Sequence, residues 1–94
     1  MTQYHVDFTK AALKELKKLD RHTAAFILGW VRKNLEGTTD PRRHGKPLTG
    51  NLADRWRYRV GDYRLLPEIR DDEILIMIVG VGHRREIYRR EIYK

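Results

Sequence analysis

The sequence predicts a single α+β domain, in which an N-terminal strand and an antiparallel helical hairpin pack on a largely antiparallel sheet of four or five strands. Three observations support this prediction. Two segments with helical spacing of apolar residues occupy residues 9–37, and short strand-like runs, two of them joined by Gly-Asp, occupy the second half of the chain. The chain has 94 residues, which suits one domain spanning residues 1–94. The expected element order is β-α-α-β-β-β.

The first strand and the first helix are adjacent in the sequence. Residues 4–8 (YHVDF) alternate in polarity as a strand does, and Thr9 after them suits a helix N-cap. An apolar stripe with spacings of four and three follows, which predicts an amphipathic helix ending near Asp20. The stripe consists of Ala12, Leu16 and Leu19.

A second amphipathic helix is predicted between Asp20, a favourable N-cap residue, and Gly37, a natural helix stop. Its apolar stripe consists of Ala24, Ile27 or Leu28, Val31 and Leu35. The short connection between the helices predicts that they are antiparallel neighbours.

Residues 38–54 contain prolines and glycines without regular periodicity, which predicts one long loop. Loops longer than about 12–15 residues are uncommon in compact domains unless they have a function. Four basic side chains lie in this segment: Arg42, Arg43, His44 and Lys46. The alternative interpretation is a solvated connector.

Three or four further strands are expected to complete the sheet. Residues 55–60 and 63–69 predict a hairpin around a two-residue Gly-Asp turn. Residues 74–79 (ILIMIV) are apolar on both faces, so this run is expected inside the sheet. Residues 86–89 are the candidate for a short fifth strand.

The composition favours a negatively charged partner. The chain carries 20 Lys and Arg against 13 Asp and Glu, giving a formal charge of +7 and a sequence pI near 10.0. Nucleic acid is the commonest anionic partner of such a protein. The chain has no cysteine, which excludes disulfides and thiolate metal sites and favours a reducing compartment.

The sequence predicts neither a membrane segment nor a cofactor. The opening residues MTQYHVDF lack the apolar core of a signal peptide, and uncharged runs such as the nine residues at 74–82 are far shorter than the ~20 of a membrane helix. We therefore expect a soluble cytoplasmic protein with no membrane partner. Scattered histidines and the lack of a phosphate-binding glycine loop predict no metal and no small-molecule cofactor.

Residues 56–64 (WRYRVGDYR) contain a cluster of arginines in the predicted hairpin. Arg57 and Arg59 share one face of a strand, and the two-residue turn sets Arg59 directly opposite Arg64. Like charges in that arrangement are destabilising, and an anionic ligand would relieve the repulsion. Guanidinium groups suit phosphate, and residues two apart on a strand are roughly 6.5–7 Å apart, which is compatible with neighbouring phosphates. The alternative is a solvated face whose charge protects a sheet edge.

A second group of polar side chains follows the apolar strand. Residues 82–88 (GHRREIY) supply an imidazole from His83, two guanidiniums from Arg84 and Arg85, and a phenol from Tyr88. The alternative interpretation makes Tyr88 a half-buried packing residue and His83 a solvated turn residue.

Together these segments resemble the RelE/ParE toxins of bacterial and archaeal toxin–antitoxin pairs. The resemblance covers nearly the whole chain and is carried by KPLTG at 46–50, WRYRVGDYR at 56–64 and VGHRREIY at 81–88. It implies a small ribonuclease that enters the ribosomal A site and cleaves mRNA through the RNA 2′-hydroxyl, leaving a cyclic phosphate and a free 5′-hydroxyl. It also implies a cognate antitoxin protein as partner, besides the ribosome and mRNA.

The resemblance also implies roles for particular residues. By motif position, it assigns catalytic roles to Arg57, Arg59, Arg64, Arg84 and Tyr88. We further expect RNA binding by Lys46, Arg55, His83 and Arg85. Some family members carry lysines at the positions of Arg57 and Arg59, but an arginine stays protonated and would stabilise charge instead of accepting a proton. The proton acceptor is then His83, Tyr88, or neither if orientation of the RNA by the ribosome suffices.

Two other functions are compatible with the sequence. A ParE-like protein of the same fold would poison DNA gyrase by binding, without chemistry. A basic RNA-binding module whose catalysis has been lost is the third hypothesis. The full set of arginines with Tyr88 favours the nuclease.

Overall fold

The computed structural model describes residues 2–48 and 55–87. In chain order its elements are strand β1 (His5–Phe8), helix α1 (Lys10–Lys17), helix α2 (Arg21–Asn34), strand β2 (Lys46–Pro47), strand β3 (Trp56–Val60), strand β4 (Tyr63–Arg70) and strand β5 (Leu75–His83). A single 3-10 turn, Asp71–Glu73, connects β4 to β5.

The five strands form one mixed sheet in the order β1-β5-β4-β3-β2. β1 runs parallel to β5, and the other neighbouring pairs are antiparallel. The predicted α+β class and the order β-α-α-β-β-β are confirmed, with β2 as an addition. β5 lies between β1 and β4, as expected for a run that is apolar on both faces.

Side-chain caps set the starts of both helices. The Thr9 hydroxyl accepts a hydrogen bond from the Ala12 N–H at 3.1 Å, and the Asp20 carboxylate accepts one from the Thr23 N–H at 3.2 Å. α1 ends at Lys17, earlier than predicted, because Asp20 must adopt extended backbone to cap α2. Among the described residues, no helix has the length and apolar character that a membrane crossing requires.

The main core lies between the helices and one face of the sheet. Ile27 is fully buried, whereas Leu28 remains 39% exposed, which settles the predicted alternative in α2. The other core residues from the helices and the sheet include Ala12, Leu16, Val31, Leu35, Tyr58, Val60, Leu65, Ile76, Ile78 and Val81. We call the opposite face of the sheet the open face.

Aromatic side chains hold the connection between α2 and β2 against the sheet. The Tyr58 hydroxyl donates to the Pro41 carbonyl at 2.6 Å, and Trp56 Nε1 donates to the His44 carbonyl at 2.9 Å. Burial raises the pKa of Tyr58, so its hydroxyl remains a donor over the whole physiological range. These two bonds fix the backbone that leads into β2.

The prediction of one continuous loop at 38–54 is wrong at Lys46–Pro47. These residues form β2 and pair with Arg57 and Trp56 of β3. A strand of two residues is too short to show alternation, and Pro47 argued against a strand, although an edge strand tolerates proline. Residues 49–54 of the predicted loop lie outside the described residues.

Pro67 coincides with an irregularity between β4 and β5. Leu66 pairs with Gly80, but Pro67 pairs with Ile78, so Val79 is an extra residue in β5. Proline has no N–H for the ladder, and a β-bulge is one of the few places where a sheet accommodates it.

The bulge changes which side chains of β5 face the helices. Ile76 and Ile78 lie in the helix-side core, and strict alternation from them would direct His83 to the open face. Because of the extra residue, Val81 and His83 lie on the helix side instead. Gly82 is left on the open face.

The prediction of a final strand at 86–89 is wrong for its described part. Glu86 lies in a turn in which its N–H donates to the His83 carbonyl at 2.9 Å. Ile87 is fully buried and packs with Leu66 in a small second core on the open face. Burying Ile87 there requires the chain to fold back over the sheet instead of extending β5. The other two residues of this range lie outside the described residues.

An ion pair between Arg42 and Asp71 holds the connection between α2 and β2 against the end of β4. Arg42 Nη1 and Nη2 donate to the two carboxylate oxygens of Asp71 at 3.1 and 3.0 Å, and the Tyr4 hydroxyl donates to Asp71 at 2.7 Å. The hydrogen bonds from Arg42 and then from Tyr4 hold the pKa of Asp71 below its usual range. Three separate chain segments thus meet at one carboxylate.

This arrangement predicts a pH dependence of stability. A carboxyl whose pKa is lower in the folded state stabilises the protein above its unfolded pKa of about 3.9, and this contribution is lost as the pH falls through the folded value. Asp71→Asn should therefore flatten the rise of the free energy of unfolding that the wild type shows as the pH increases toward the unfolded pKa of about 3.9. Urea denaturation at a series of pH values measures this slope.

The matched control is Asp72→Asn. Asp72 is the neighbouring residue in the same 3-10 turn, and it forms no hydrogen bond or ion pair with Arg42 or Tyr4 among the described contacts. Its substitution should leave the slope near that of the wild type. Equal slopes for the two variants would contradict a specific role for Asp71.

Candidate nucleic-acid interface

A cationic cleft lies on the open face, where β2, β3 and β4 meet. Its cavity has a volume of about 170 Å³ and is lined by Gly45, Lys46, Arg57, Arg59 and Arg64. Three of these residues were predicted to be catalytic, and Lys46 was predicted to bind RNA. The structure therefore brings four of the predicted site residues together.

Strand pairing fixes the positions of the four cations. Lys46 of β2 lies directly opposite Arg57 of β3, and Arg59 lies directly opposite Arg64 of β4. The pairing of Arg59 with Arg64 is the one predicted from the two-residue turn, and it is confirmed. Gly61, the first turn residue, has a φ of 61°, as a type II′ turn requires.

Arg64 is anchored at the turn of its own hairpin. Its Nη1 donates to the carbonyl oxygens of Gly61 at 3.1 Å and Tyr63 at 2.9 Å. Its Nε and Nη2 have no protein partner among the described residues. These bonds orient the guanidinium while leaving donors available for an anion.

The cleft concentrates positive charge. None of the described residues that line it is acidic, and Lys46, Arg59 and Arg64 form no ion pair within the described part of the chain. Like charges in neighbouring cross-strand positions repel, so a bound anion lowers the free energy of this arrangement. The cleft is chemically suited to phosphate groups, which accept hydrogen bonds from several guanidinium and ammonium donors at once.

Gly45 is a residue of the cleft that the sequence analysis missed. It has a φ of 87°, and a Cβ there would lie 2.1 Å from the Arg57 carbonyl oxygen and 2.6 Å from Trp56 Nε1. Only glycine permits this close approach, which sets Lys46 beside Arg57. The available signal was a glycine directly before a lysine within a basic segment.

Gly82 of β5 lies opposite one of the arginines of the cleft. It pairs with Arg64 across β4 and β5, so no side chain covers the guanidinium from that strand. Gly82 itself is buried, so what β5 contributes here is the lack of a side chain opposite Arg64.

Besides His83, three described residues of the predicted site lie outside the lining of the cleft. The Arg84 N–H donates to the Asp62 carbonyl at 2.9 Å, and Arg84 Nε lies 4.0 Å from Asp62 Oδ1, which places Arg84 beside the hairpin turn. Arg55 lines a separate cavity of about 340 Å³ together with Arg42. Arg85 is exposed in the turn after β5.

The structure separates His83 from the cationic cleft. His83 pairs with Tyr63, with ring centroids 5.6 Å apart in an edge-on arrangement. Its side chain lines a cavity of about 260 Å³ with Glu15 of α1 and Lys18, the residue that follows α1, on the helix side. The bulge at Pro67 accounts for this placement. Residue 88 lies outside the described residues, so the role expected for its tyrosine stays a prediction.

Comparison with known proteins identifies the family. Residues 6–88 match the family described as ParE toxin of type II toxin-antitoxin system, parDE. The chain is 39% identical over 87 residues to toxin RelG of Mycobacterium tuberculosis, covering 93% of this chain and 98% of that protein. It is 28% identical over 92 residues to the mRNA interferase toxin RelE of Escherichia coli, covering 96% of this chain and 90% of that protein. The chain belongs to the RelE/ParE superfamily of type II toxin–antitoxin toxins, as its motifs predicted.

Solved structures of relatives share the fold. The toxin–antitoxin complex RelBE2 from M. tuberculosis matches with a TM-score of 0.77 and 37% identity, covering 89% of this chain and 94% of that chain. The archaeal RelE–RelB complex from Pyrococcus horikoshii OT3 matches with a TM-score of 0.64 and 30% identity, covering 89% of this chain and 97% of that chain. Within the superfamily, the curated relatives are RelE-type toxins.

The close approach of Gly45 to β3 predicts that even an added methyl group at this position has a large effect. Gly45→Ala should lower the free energy of unfolding by at least about 2 kcal/mol, because it combines an unfavourable φ with a clash against β3. It should also weaken binding of single-stranded RNA, since β2 and Lys46 would be displaced. Urea denaturation and fluorescence anisotropy measure the two effects.

Gly37→Ala is the matched control for backbone conformation. Gly37 has a similar φ of 81°, but a Cβ there meets no atom within 4 Å. This variant should cost about 1 kcal/mol of stability and leave RNA affinity unchanged. Equal losses of stability and affinity in the two variants would show that the close approach at Gly45 does not position the cleft.

Proposed function

We propose that this RelE-type toxin is a ribosome-dependent endoribonuclease, which cleaves mRNA in the A site through attack of the RNA 2′-hydroxyl. The observation that carries the proposal is the cationic cleft, in which one lysine and three arginines converge on the open face without an acidic neighbour in the described lining. Such a cluster is suited to hold a phosphodiester. Acting on ribosomes would place the protein in the cytoplasm.

The arginines have an electrostatic role in this reaction. Attack of the 2′-oxygen on phosphorus increases the negative charge on the non-bridging phosphate oxygens. Arg57, Arg59 and Arg64 lie where guanidinium donors can stabilise that charge, and preorganised donors of this kind contribute most in the transition state. The hydrogen bonds of Arg64 to the turn carbonyls provide such preorganisation.

The arginines leave the proton transfers to other groups. Guanidinium groups do not deprotonate in proteins, so none of the three can act as a base. The family resemblance assigns an acid/base or stacking role to Tyr88 and a catalytic role to Arg84. His83 is the weaker alternative as a base, because its side chain lies on the helix side of the sheet.

We infer that the reaction is independent of metal ions. In the described part of the chain, no group of three or more histidine or carboxylate side chains is arranged to hold a metal ion. The guanidinium groups can supply the positive charge that a metal ion provides in other nucleases. Toxin treated with EDTA and then returned to intact ribosomes should therefore retain its activity.

We further propose that a cognate antitoxin neutralises this chain. The M. tuberculosis and P. horikoshii relatives were solved as complexes with their antitoxins. The formal charge of +7 suits a partner segment with acidic and hydrophobic anchors. Such a segment can bind as an amphipathic helix that lies across the surface of the toxin, which is a recognised mode of peptide binding.

A ParE-like poison of DNA gyrase remains a second candidate, because the family that matches residues 6–88 is described as ParE toxin. Such a protein would act by binding and would leave mRNA intact. A basic RNA-binding module without catalysis would bind mRNA but not cut it. The three functions therefore differ in what they do to a translated message.

Primer extension on an mRNA under translation tests the proposal directly. The wild-type protein should produce cuts in phase with the codons. Arg64→Lys keeps the charge but loses the planar fork of donors, so cleavage should fall by about 10- to 100-fold.

The matched control is Arg21→Lys at the exposed start of α2, which should cleave as the wild type does. Small, equal effects at both positions would indicate that the cluster is merely a solvated face. An intact message in the presence of active, folded wild-type protein would favour one of the two binding functions.

A further inference from the structure

We propose that Lys46 is the general acid of the cleavage reaction, donating the proton that the 5′-oxygen needs as it leaves phosphorus. This inference rests on the proposed function and assigns a catalytic residue within the same site. It differs from the RNA-binding role expected for Lys46 from the sequence, because a proton donor acts on the reacting atoms and not only on the charge of the substrate.

The position of Lys46 is the first argument. Lys46 lies opposite Arg57 in the β2–β3 pairing and lines the same cavity as Arg59 and Arg64. A phosphate held by these guanidinium groups therefore lies within the cleft that the Lys46 side chain borders. Lys46 is exposed, so its ammonium group is accessible to a ligand from solvent.

The fixed backbone of β2 is the second argument. The crossing at Gly45 and the hydrogen bond from the Leu48 N–H to the Arg55 carbonyl at 3.0 Å hold the short strand on both sides of Lys46. A general acid must lie within hydrogen-bond distance of the atom that it protonates, so a fixed backbone at Lys46 favours this role.

Chemical elimination is the third argument. The described charged groups that face Lys46 within the cleft are Arg57 and Arg59 from β3 and Arg64 from β4. All three are guanidinium groups, which hold their protons too tightly for transfer. A lysine side chain carries a proton at neutral pH and takes part in proton transfer in other enzymes, as a general acid must. Of the described residues that line the cleft, only Lys46 can therefore perform this step.

The proposed step balances as a transesterification. The 2′-oxygen forms a bond to phosphorus while the bond between phosphorus and the 5′-oxygen breaks. The 2′-hydroxyl proton passes to water, and a proton from Lys46 Nζ passes to the departing 5′-oxygen. The neutral amine then recovers a proton from water. The products are a 2′,3′-cyclic phosphate and a free 5′-hydroxyl.

A substrate with sulfur in place of the bridging 5′-oxygen at the scissile position tests the role of Lys46. A thiolate leaves without protonation, so a missing general acid no longer matters. On ordinary mRNA in programmed ribosomes, Lys46→Arg should reduce single-turnover cleavage by about 10²–10⁴-fold, because it keeps the charge but cannot donate the proton. On the sulfur substrate, the single-turnover cleavage rate of the same variant should lie within about tenfold of the wild-type rate.

Arg59→Ala serves as the comparison, because it removes charge stabilisation and should be slow on both substrates. A Lys46→Arg variant that is equally slow on both would overturn the proposal and reduce Lys46 to a phosphate contact. A variant that cleaves ordinary mRNA at the wild-type rate would overturn it as well. If the wild type cleaves neither substrate, the proposed nuclease function itself fails, and the assignment of Lys46 fails with it.

Discussion

The register of β4 against its two neighbours determines what the open face can do. On one side, the Gly61-Asp62 turn sets Arg64 opposite Arg59. On the other side, the irregularity at Pro67 sets Arg64 opposite Gly82. The pairing of β4 thus places the guanidinium groups of Arg59 and Arg64 side by side, and it places a residue without a side chain, Gly82, on the other side of Arg64. A shift of one residue in the pairing of β3 with β4 would move Arg59 and Arg64 to opposite faces of the sheet and separate them.

The surrounding backbone holds the cationic side chains of the cleft in place although their like charges repel one another. Arg59 and Arg64 lie directly opposite each other on β3 and β4, and like charges in that arrangement are destabilising. Backbone carbonyls hold Arg64, and the close crossing at Gly45 fixes Lys46. An anionic ligand bound between the two guanidinium groups would relieve this repulsion.

Features with a local signal could be predicted from the sequence. The two-residue turn defined the hairpin and the opposition of Arg59 and Arg64, and alternation placed Arg57 and Arg59 on one face. The apolar run at 74–79 indicated an interior strand, and Thr9 and Asp20 indicated the helix starts.

Features that depend on distant contacts could not be predicted in the same way. β2 has two residues and no periodicity, and it exists because Gly45 lets the chain cross close to β3. The placement of His83 on the helix side depends on a bulge, for which Pro67 inside an apolar strand was the only local signal. The residue-by-residue roles carried over from the family stay predictions.

In the proposed function, this cleft, and not the basic surface in general, holds the RNA phosphates. The salt dependence of binding to a short single-stranded RNA with a 2′-deoxy scissile nucleotide measures this most directly. For single strands, the slope of log K against log salt concentration changes by about 0.7 per phosphate contact. Arg59→Gln should therefore reduce the magnitude of the slope by about 0.7, whereas Arg21→Gln on α2 should leave it unchanged. Equal reductions for the two variants, or none for Arg59→Gln, would contradict the account.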